Sequence, residues 1–254
     1  MTNNHHPSEP LLKPSDLIAH LRANGQLPDF PAPRAVIFAP QKSLAAYVLR
    51  RHSSKRIKGF LGEFYLLKRT HGQIALSTGF GIGAPAIASL TDEFAALGVT
   101  QFVLIGLAGG LQPELTAGSL VIAAGAVRGE GVSRHYLPPG STVESAPGMV
   151  RGISQILTRQ NYPHGLGVTW TTDAPFRELR EDVMEHQRQG VLAVEMEAAG
   201  MLAVAKAHNL PAAAMFSIAD QLSGGEWRMT DDPKPAQKGL SILFDAAFEY
   251  LTAR

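Results

Sequence analysis

The stretch VLAVEMEAAGMLAVAKAHN (191–209) contains the transition from a buried strand to a helix. Its first six residues form a short apolar run without alternation, which is typical of a strand covered on both faces. The next thirteen residues form the strongest helical pattern in the chain. A second apolar run, AAAMFSIA (212–219), follows directly. The order strand, helix, strand predicts the unit from which α/β sheets are built.

The same alternation continues over the chain from residue 34 onward. Strands are predicted at 35–38, 74–80, 101–108, 119–127, 167–172, 191–196 and 212–219, and helices at 41–52, 84–98, 147–160, 197–209 and 237–251. Segments of this kind predict one α/β domain, residues 34–254, with a central mixed or mostly parallel sheet flanked by helices.

Residues 1–33 differ from the rest and predict an N-terminal appendage. Ser15 is expected to cap a short helix over 16–24, and Gly25 is expected to end it. The Pro-rich stretch LPDFPAP (27–33) would then serve as a tether. The first ten residues lack the basic and apolar regions of a signal peptide, so we expect a cytoplasmic protein.

Composition excludes several classes of function. Lys and Arg total 23 against 22 acidic residues, a formal net charge of +1, which gives no electrostatic case for nucleic acid or an anionic membrane as partner. Cysteine is absent, so thiol catalysis, disulfides and Cys-ligated zinc are excluded. No apolar run reaches the roughly 20 residues of a membrane span.

Ligands of open α/β sheets bind beyond the carboxyl ends of the strands. That rule selects four places: residues 79–83, residues 107–111, the segment after Trp170 and the segment after Ile218. The first of them, within TGFGIGAP (78–85), places Gly79 and Gly81 between a strand and a helix, but the dinucleotide-binding spacing is not met. Gly79 and Gly81 are therefore consistent either with a tight turn or with a ligand-binding loop. The same two interpretations apply to Gly109 in AGGL (108–111).

Acidic side chains stand at two of the predicted strand ends. Glu195 and Glu197 flank Met196 and either complement the dipole of the following helix or hold sugar hydroxyls. Asp220 closes the last strand, where it either exchanges a proton with a ligand or forms a turn. After another strand, Phe176 is a candidate to stack on a base and Arg177 to bind an anion or a carbonyl; a hydrophobic cover and a solvated Arg are the alternatives.

Taken in order, these segments resemble the nucleoside phosphorylase family, which includes purine nucleoside phosphorylase, uridine phosphorylase and methylthioadenosine/S-adenosylhomocysteine nucleosidase. VEMEAAG (194–200) is the most specific segment, and the similarity runs from about residue 35 to 251. The other matching segments are GFGIGAP, LIGLAGGLQPELTAGSLVIAAGAVR, TTDAPF and the end of SIAD.

The resemblance implies a role for each matching position. Met196 and Glu197 would contact the ribose, with Glu195 beside them. Asp220 would act at N7 of a purine, and its presence favours purines because pyrimidine-specific members lack it. Phe176 would pack against the base. The implied reaction is phosphorolysis of a purine-type nucleoside, with inorganic phosphate as co-substrate and with neither a metal nor an organic cofactor. The resemblance also implies a homo-oligomer whose sheet curls toward a barrel.

The family's phosphate-binding residues do not carry over. Pro40, Leu44, Leu104 and Leu107 stand where the family has Gly, two Arg and Ser or Thr. A desolvated dianion without charged partners is costly. Three alternatives remain: phosphate held by other groups, water as the nucleophile, or a nucleoside-binding module without catalysis. For the first alternative, the candidate phosphate ligands are Lys42, Arg128 and the backbone N–H groups of Gly79, Gly81 and Gly109.

Overall fold

The computed structural model describes residues 10–253. The helices in this range are α1 (Pro14–Ala23), α2 (Lys42–Arg51), α3 (Ala84–Leu97), α4 (Pro147–Arg159), α5 (Arg180–Arg188), α6 (Ala198–Ala207) and α7 (Lys234–Thr252). The strands are β1 (Ala35–Ala39), β2 (Ser54–Ile57), β3 (Glu63–Leu67), β4 (Ile74–Thr78), β5 (Gln101–Gly110), β6 (Leu120–Gly129), β7 (Thr142–Glu144), β8 (His164–Thr172), β9 (Ala193–Glu195), β10 (Ala212–Gln221) and β11 (Arg228–Met229). Among these helices, none is long and apolar enough to cross a membrane.

The strands form one mixed sheet, part of which closes into a barrel. β5 pairs with β10, β10 with β6, β6 with β8, β8 with β9, and β9 returns to β5, so these five strands make a ring. From β5 the sheet continues outward through β1, β4, β3 and β2. The parallel pairs include β1 with β5 and β5 with β10, whereas β10 and β6 are antiparallel. The predicted single α/β domain with a mixed sheet is confirmed.

Two hydrophobic cores cover the two faces of the sheet. In β1, Val36 and Phe38 point into the first core, and Ala35, Ile37 and Ala39 point into the second. Helices α3 and α6 contribute to the first core, and α2, α4 and α7 contribute to the second. Because successive strand residues face opposite sides, a strand covered by helices on both sides must be apolar throughout.

The N-terminal segment packs on this domain through Ile18 and Leu27, which belong to the first core. Helix α1 begins at Pro14 with Lys13 as the N-cap, so the predicted cap at Ser15 is wrong. The physical reason is Pro14, which fits the first helical position because its fixed φ is helical and it has no N–H to satisfy. Gly25 follows the helix at a φ of +68°, as predicted. The part of the predicted appendage formed by residues 1–9 lies outside the described residues.

Candidate active site

A cavity of about 630 Å³ lies at the carboxyl ends of the sheet strands. Each of the four predicted ligand loops contributes to its wall, through Ile82, Gly109, Phe176 and Asp220. Gln41, at the end of β1, adds a further wall residue. The loops after β1, β4, β5 and β10 meet because these strands are parallel to one another, and their carboxyl ends therefore share one edge. The loop with Phe176 follows β8, whose end pairs with β9, and β9 pairs with the carboxyl end of β5.

Glu197 lines this cavity at the junction of β9 and α6 and is 7% exposed. Its Oε1 accepts a hydrogen bond of 2.6 Å from the backbone N–H of Gly83. Burial raises the pKa of Glu197, and hydrogen bonds from the backbone of Gly83 and Met196 oppose that shift. The glycine loop thus fixes the direction of one carboxylate oxygen. Met196 lines the same wall.

Glu195 also reaches the cavity, but its hydrogen bonds are made within the chain. Oε2 accepts the backbone N–H groups of Glu197 and Ala198, both at 2.7 Å, and Oε1 accepts the hydroxyl of Thr171. Burial, and secondly the charge of Glu197, raises the pKa of Glu195 to about 7. These contacts hold the start of α6 against the barrel, so Glu195 supports the position of Glu197.

Asp220 stands at the carboxyl end of β10 and lines the cavity. The indole Nε1–H of Trp227 donates to its Oδ2 at 2.6 Å. Glu178 lines the same cavity; burial, and secondly the charge of Asp220, raises the pKa of Glu178 to about 7. The sequence TTDAPFRELR contains Glu178, but no pattern distinguished it from the neighbouring charged residues.

The rim of the cavity is apolar. Ile82, Phe176 and Trp227 line it and are also exposed to solvent, Phe176 to 98%. The predicted base-stacking residue Phe176 is thus at the cavity, whereas Arg177, the next residue, is exposed and does not line it.

The predicted phosphate ligands are not brought together. Gly109 lines the cavity, but Gly79, Gly81, Lys42 and Arg128 do not. Arg128 instead donates to the hydroxyl of Ser133 and to the backbone carbonyl of Pro138. Among the described residues that line the cavity there are four carboxylic acids and no Lys, Arg or His.

The leucines at the family's phosphate positions have different environments. Leu44 and Leu104 are fully buried in the two hydrophobic cores, whereas Leu107 faces the cavity. The cavity wall also holds Gln41, whose buried Oε1 has no hydrogen-bond partner among residues 10–253. Sequence reasoning missed Gln41, although its place directly after β1 is a strand end of the kind that forms ligand sites. No group of three His, Asp or Glu that could hold a metal ion occurs in the described part of the chain.

A family model described as the phosphorylase superfamily matches residues 36–246. The chain belongs to the phosphorylase superfamily. The match includes the five barrel strands and the residues Glu195, Met196, Glu197 and Asp220, and it confirms the resemblance found from VEMEAAG and the other segments.

Several superfamily members are similar to this chain. The guanosine phosphorylase of Halorubrum lacusprofundi is 30% identical over 152 residues, which is 59% of this chain and 63% of that protein. The DeoD-type purine nucleoside phosphorylase of Myxococcus xanthus is 27% identical and covers 68% of this chain and 71% of that protein. The uridine phosphorylase of Treponema pallidum is 37% identical over 99 residues, 37% of this chain and 36% of that protein.

The fold is also found in a superfamily crystal structure. Uridine phosphorylase from Vibrio fischeri ES114 superimposes with a TM-score of 0.76 at 20% identity, covering 88% of this chain and 93% of that one. The chain spans less than two thirds of the length of the guanosine phosphorylase and about a third of the Treponema enzyme. Because these superfamily members are named for purine and for pyrimidine substrates, membership alone does not assign the base.

Proposed function

We propose that this protein cleaves the N-glycosidic bond of a purine-type nucleoside and transfers the pentose to inorganic phosphate. The observation that carries the proposal is that Glu197 and Asp220 line one cavity. They come from the ends of β9 and β10, which flank β5 on its two sides. One carboxyl group is thus available for the sugar and another for the base.

The two carboxyl groups match the two charges that develop in the reaction. When the glycosidic bond breaks, the sugar ring becomes positive and the departing base becomes negative. A fixed carboxylate such as Glu197 orients the ribose hydroxyls and favours the developing positive charge. An acid at the base, in the region of Asp220, neutralises the leaving group, an effect of about 10²–10⁴ in rate.

The assignment of a purine rests on Asp220 and on the rim. A purine presents N7 to a group at the end of β10, and Phe176 at the rim offers a ring for stacking. Two of the similar proteins are named guanosine phosphorylase and purine nucleoside phosphorylase, which supports this choice. The names of the uridine phosphorylases point to the competing substrate class.

Hydrolysis is the second candidate, and one observation favours it. The described residues of the cavity wall include four carboxylic acids and no cationic side chain, and a phosphate dianion there would be poorly compensated. Water is uncharged and needs only hydrogen-bond partners, which the unpaired Oε1 of Gln41 offers. The names of the similar proteins, which are phosphorylases, support phosphorolysis. The acidic side chains of the cavity wall support hydrolysis.

The test is release of base from inosine, guanosine, adenosine, methylthioadenosine and uridine, each with and without phosphate. Phosphate-dependent release from the purine nucleosides, with pentose 1-phosphate formed, supports phosphorolysis. Equal release without phosphate supports hydrolysis, and preference for uridine contradicts the purine assignment. Binding of nucleosides without release would identify a binding module and contradict both reactions.

Two variants and one control connect the activity to the site. Glu197→Ala removes the carboxyl group proposed for the ribose, and Asp220→Asn removes the one proposed for the base; both are expected to lower kcat/KM by about 10²-fold or more. Glu114→Gln changes an exposed carboxyl group outside the cavity and is expected to retain full activity. Unchanged kinetics of Glu197→Ala or Asp220→Asn would contradict the assignment of that residue.

We further propose that the protein is a homo-oligomer, as the resemblance implies. Sedimentation velocity of the full chain at micromolar concentration measures this directly. A monomer would contradict the proposal.

A further inference from the structure

Glu178 is a second carboxyl group on the side of the cavity that holds Asp220. It follows the short turn Pro175–Arg177, is half-buried and lines the cavity together with Asp220. Its negative charge would be poorly solvated here, because no cationic side chain among the described residues lines the wall. The position therefore favours a carboxyl group that keeps its proton.

The hydrogen bonding of Asp220 defines which of its oxygens is open. The indole N–H of Trp227 is a donor only, so Oδ2, to which it donates at 2.6 Å, is an acceptor. The other oxygen, Oδ1, faces Gly109 of β5: a Cβ atom built at Gly109 would lie 3.3 Å from it. Oδ1 is thus turned toward the glycine strand that lines the cavity.

The surroundings of Glu178 favour its protonated form. Burial, and secondly the charge of Asp220, raises the pKa of Glu178 to about 7. The other charged groups on the surrounding segments are Arg177 and Arg180 beside Glu178, Glu226 next to Trp227, and Glu195 and Glu197 at the end of β9. Two neighbouring carboxyl groups with such different surroundings are the usual arrangement of an acid and its partner base.

We propose that Glu178 and Asp220 form an acid pair at the leaving base, in which Glu178 carries the proton before the reaction and gives it to the base. The proposal rests on the proposed nucleoside cleavage. In the reaction the C1′–N9 bond breaks and its electron pair stays with the base. N7 takes the proton of the pair, which becomes two carboxylates. Hydrogen phosphate bonds to C1′, and the proton that it loses returns to the pair through solvent.

The experiment compares two substrates whose bases differ in their need for a proton at N7. The hypoxanthine of inosine leaves as an anion unless N7 is protonated. The base of 7-methylinosine already carries a positive charge in its imidazole ring and needs no proton at N7 to leave. Glu178→Gln keeps the size of the side chain but cannot supply a proton. We expect kcat/KM of this variant to fall about 10²-fold with inosine and less than about threefold with 7-methylinosine.

The pH profile gives a second readout. For the unaltered protein, kcat/KM with inosine should fall as the pH rises through about 7, where Glu178 loses its proton. In Glu178→Gln, which lacks the titrating carboxyl group, this decline should be absent. Glu178→Asp, which restores an acid, should recover part of the inosine activity. Glu181→Gln, an exposed glutamate on α5, is the matched control and should behave like the unaltered protein.

The outcomes distinguish the acid pair from the reaction itself. Equal rates of Glu178→Gln and the unaltered protein with inosine would overturn the acid pair and leave the proposed function standing. An equal loss with both substrates would show that Glu178 has a structural role, and it would overturn the acid pair as well. If the unaltered protein released base from neither substrate, both the proposed function and the acid pair would be refuted.

Discussion

Glu197 accepts a hydrogen bond of 2.6 Å from the backbone N–H of Gly83, a residue 114 positions earlier in the chain. Gly83 is the N-cap of α3 and has a φ of +98°, a conformation in which only glycine is unstrained. The bond joins the start of α3 to the start of α6, and the two helices pack together behind it. The direction of the proposed ribose carboxylate therefore depends on the distance between these helices.

Glu197→Gln tests charge separately from position. The side-chain oxygen of Gln can still accept the N–H of Gly83, so the variant should fold like the unaltered protein. Without the negative charge, stabilisation of the developing positive charge on the sugar is lost, and kcat is expected to fall about 10²-fold. Steady-state kinetics with inosine and a thermal unfolding curve measure the two effects. A variant with full kcat would show that Glu197 acts through shape alone.

Gly200→Ala tests the contact between the two helices. A Cβ atom at Gly200 of α6 would lie 2.9 Å from the Cβ of Ala84 and 3.1 Å from its Cα and carbonyl oxygen, so α3 or α6 must shift. Overpacking of this kind costs about 1–3 kcal/mol. We expect a lower urea midpoint and a lower kcat, because Gly83 moves with α3. Gly148→Ala is the control, since a Cβ there meets nothing within 4 Å. A loss of stability without loss of kcat would separate the helix contact from the site.

The sequence predicted the strands that form apolar runs and missed those that do not. All seven apolar runs contain a strand, and most of these strands are buried on both faces. The missed strands, β2, β3, β7 and β11, are short or at the edges and mix polar with apolar residues. Helix α5 was also missed, since Val183 is its one buried residue and its apolar stripe is too narrow to read.

The site was predicted in part for a similar reason. The strand-end rule and the VEMEAAG motif selected Glu195, Glu197 and Asp220, and all three line one cavity; their proposed roles stay predictions. Glu178 and Gln41 also line the cavity, but they lie in loops. A partly buried polar residue in a loop leaves no periodic pattern in the sequence, so these two residues could not be predicted from it. The hydrogen-bond partners of Arg128, Ser133 and Pro138, depend on the conformation of the loop that follows β6. The position of Arg128 near a strand end therefore did not reveal that its side chain does not line the cavity.

The buried carboxyl group of Glu195 predicts a pH dependence of stability. Its pKa in the folded protein is about 7 against an ordinary value of 4.5, so between these pH values the folded chain holds a proton that the unfolded chain has lost. Stability contributed by this group is therefore present below about pH 4.5 and is lost as the pH rises through about 7. The side chain of Glu195→Gln can still hydrogen-bond to the backbone at the start of α6, but it has no carboxyl group to titrate.

Urea unfolding at pH 5 and pH 8 measures this effect. The unaltered protein should lose stability between the two pH values, and Glu195→Gln should lose less. A residual decline is expected because burial also raises the pKa of Glu197 and of Glu178. Glu114→Gln should retain the full decline. Parallel declines in Glu195→Gln and the unaltered protein would show that Glu195 does not titrate in this range.

Arg128→Ala distinguishes a loop anchor from a phosphate ligand. The guanidinium group donates from Nε to Ser133 Oγ at 2.8 Å and from Nη1 to the carbonyl oxygen of Pro138 at 2.7 Å. Removing the guanidinium leaves the hydroxyl of the buried Ser133 without this partner, at about 1–3 kcal/mol, while the exposed carbonyl of Pro138 can bind water instead. We expect a lower Tm and an unchanged phosphate concentration for half-maximal base release. Lys42→Ala, which changes an exposed side chain without such contacts, should leave Tm unchanged. An unchanged Tm together with a tenfold weaker phosphate dependence in Arg128→Ala would instead support the phosphate role that the sequence predicted, and would require the loop at 133–138 to open toward the cavity.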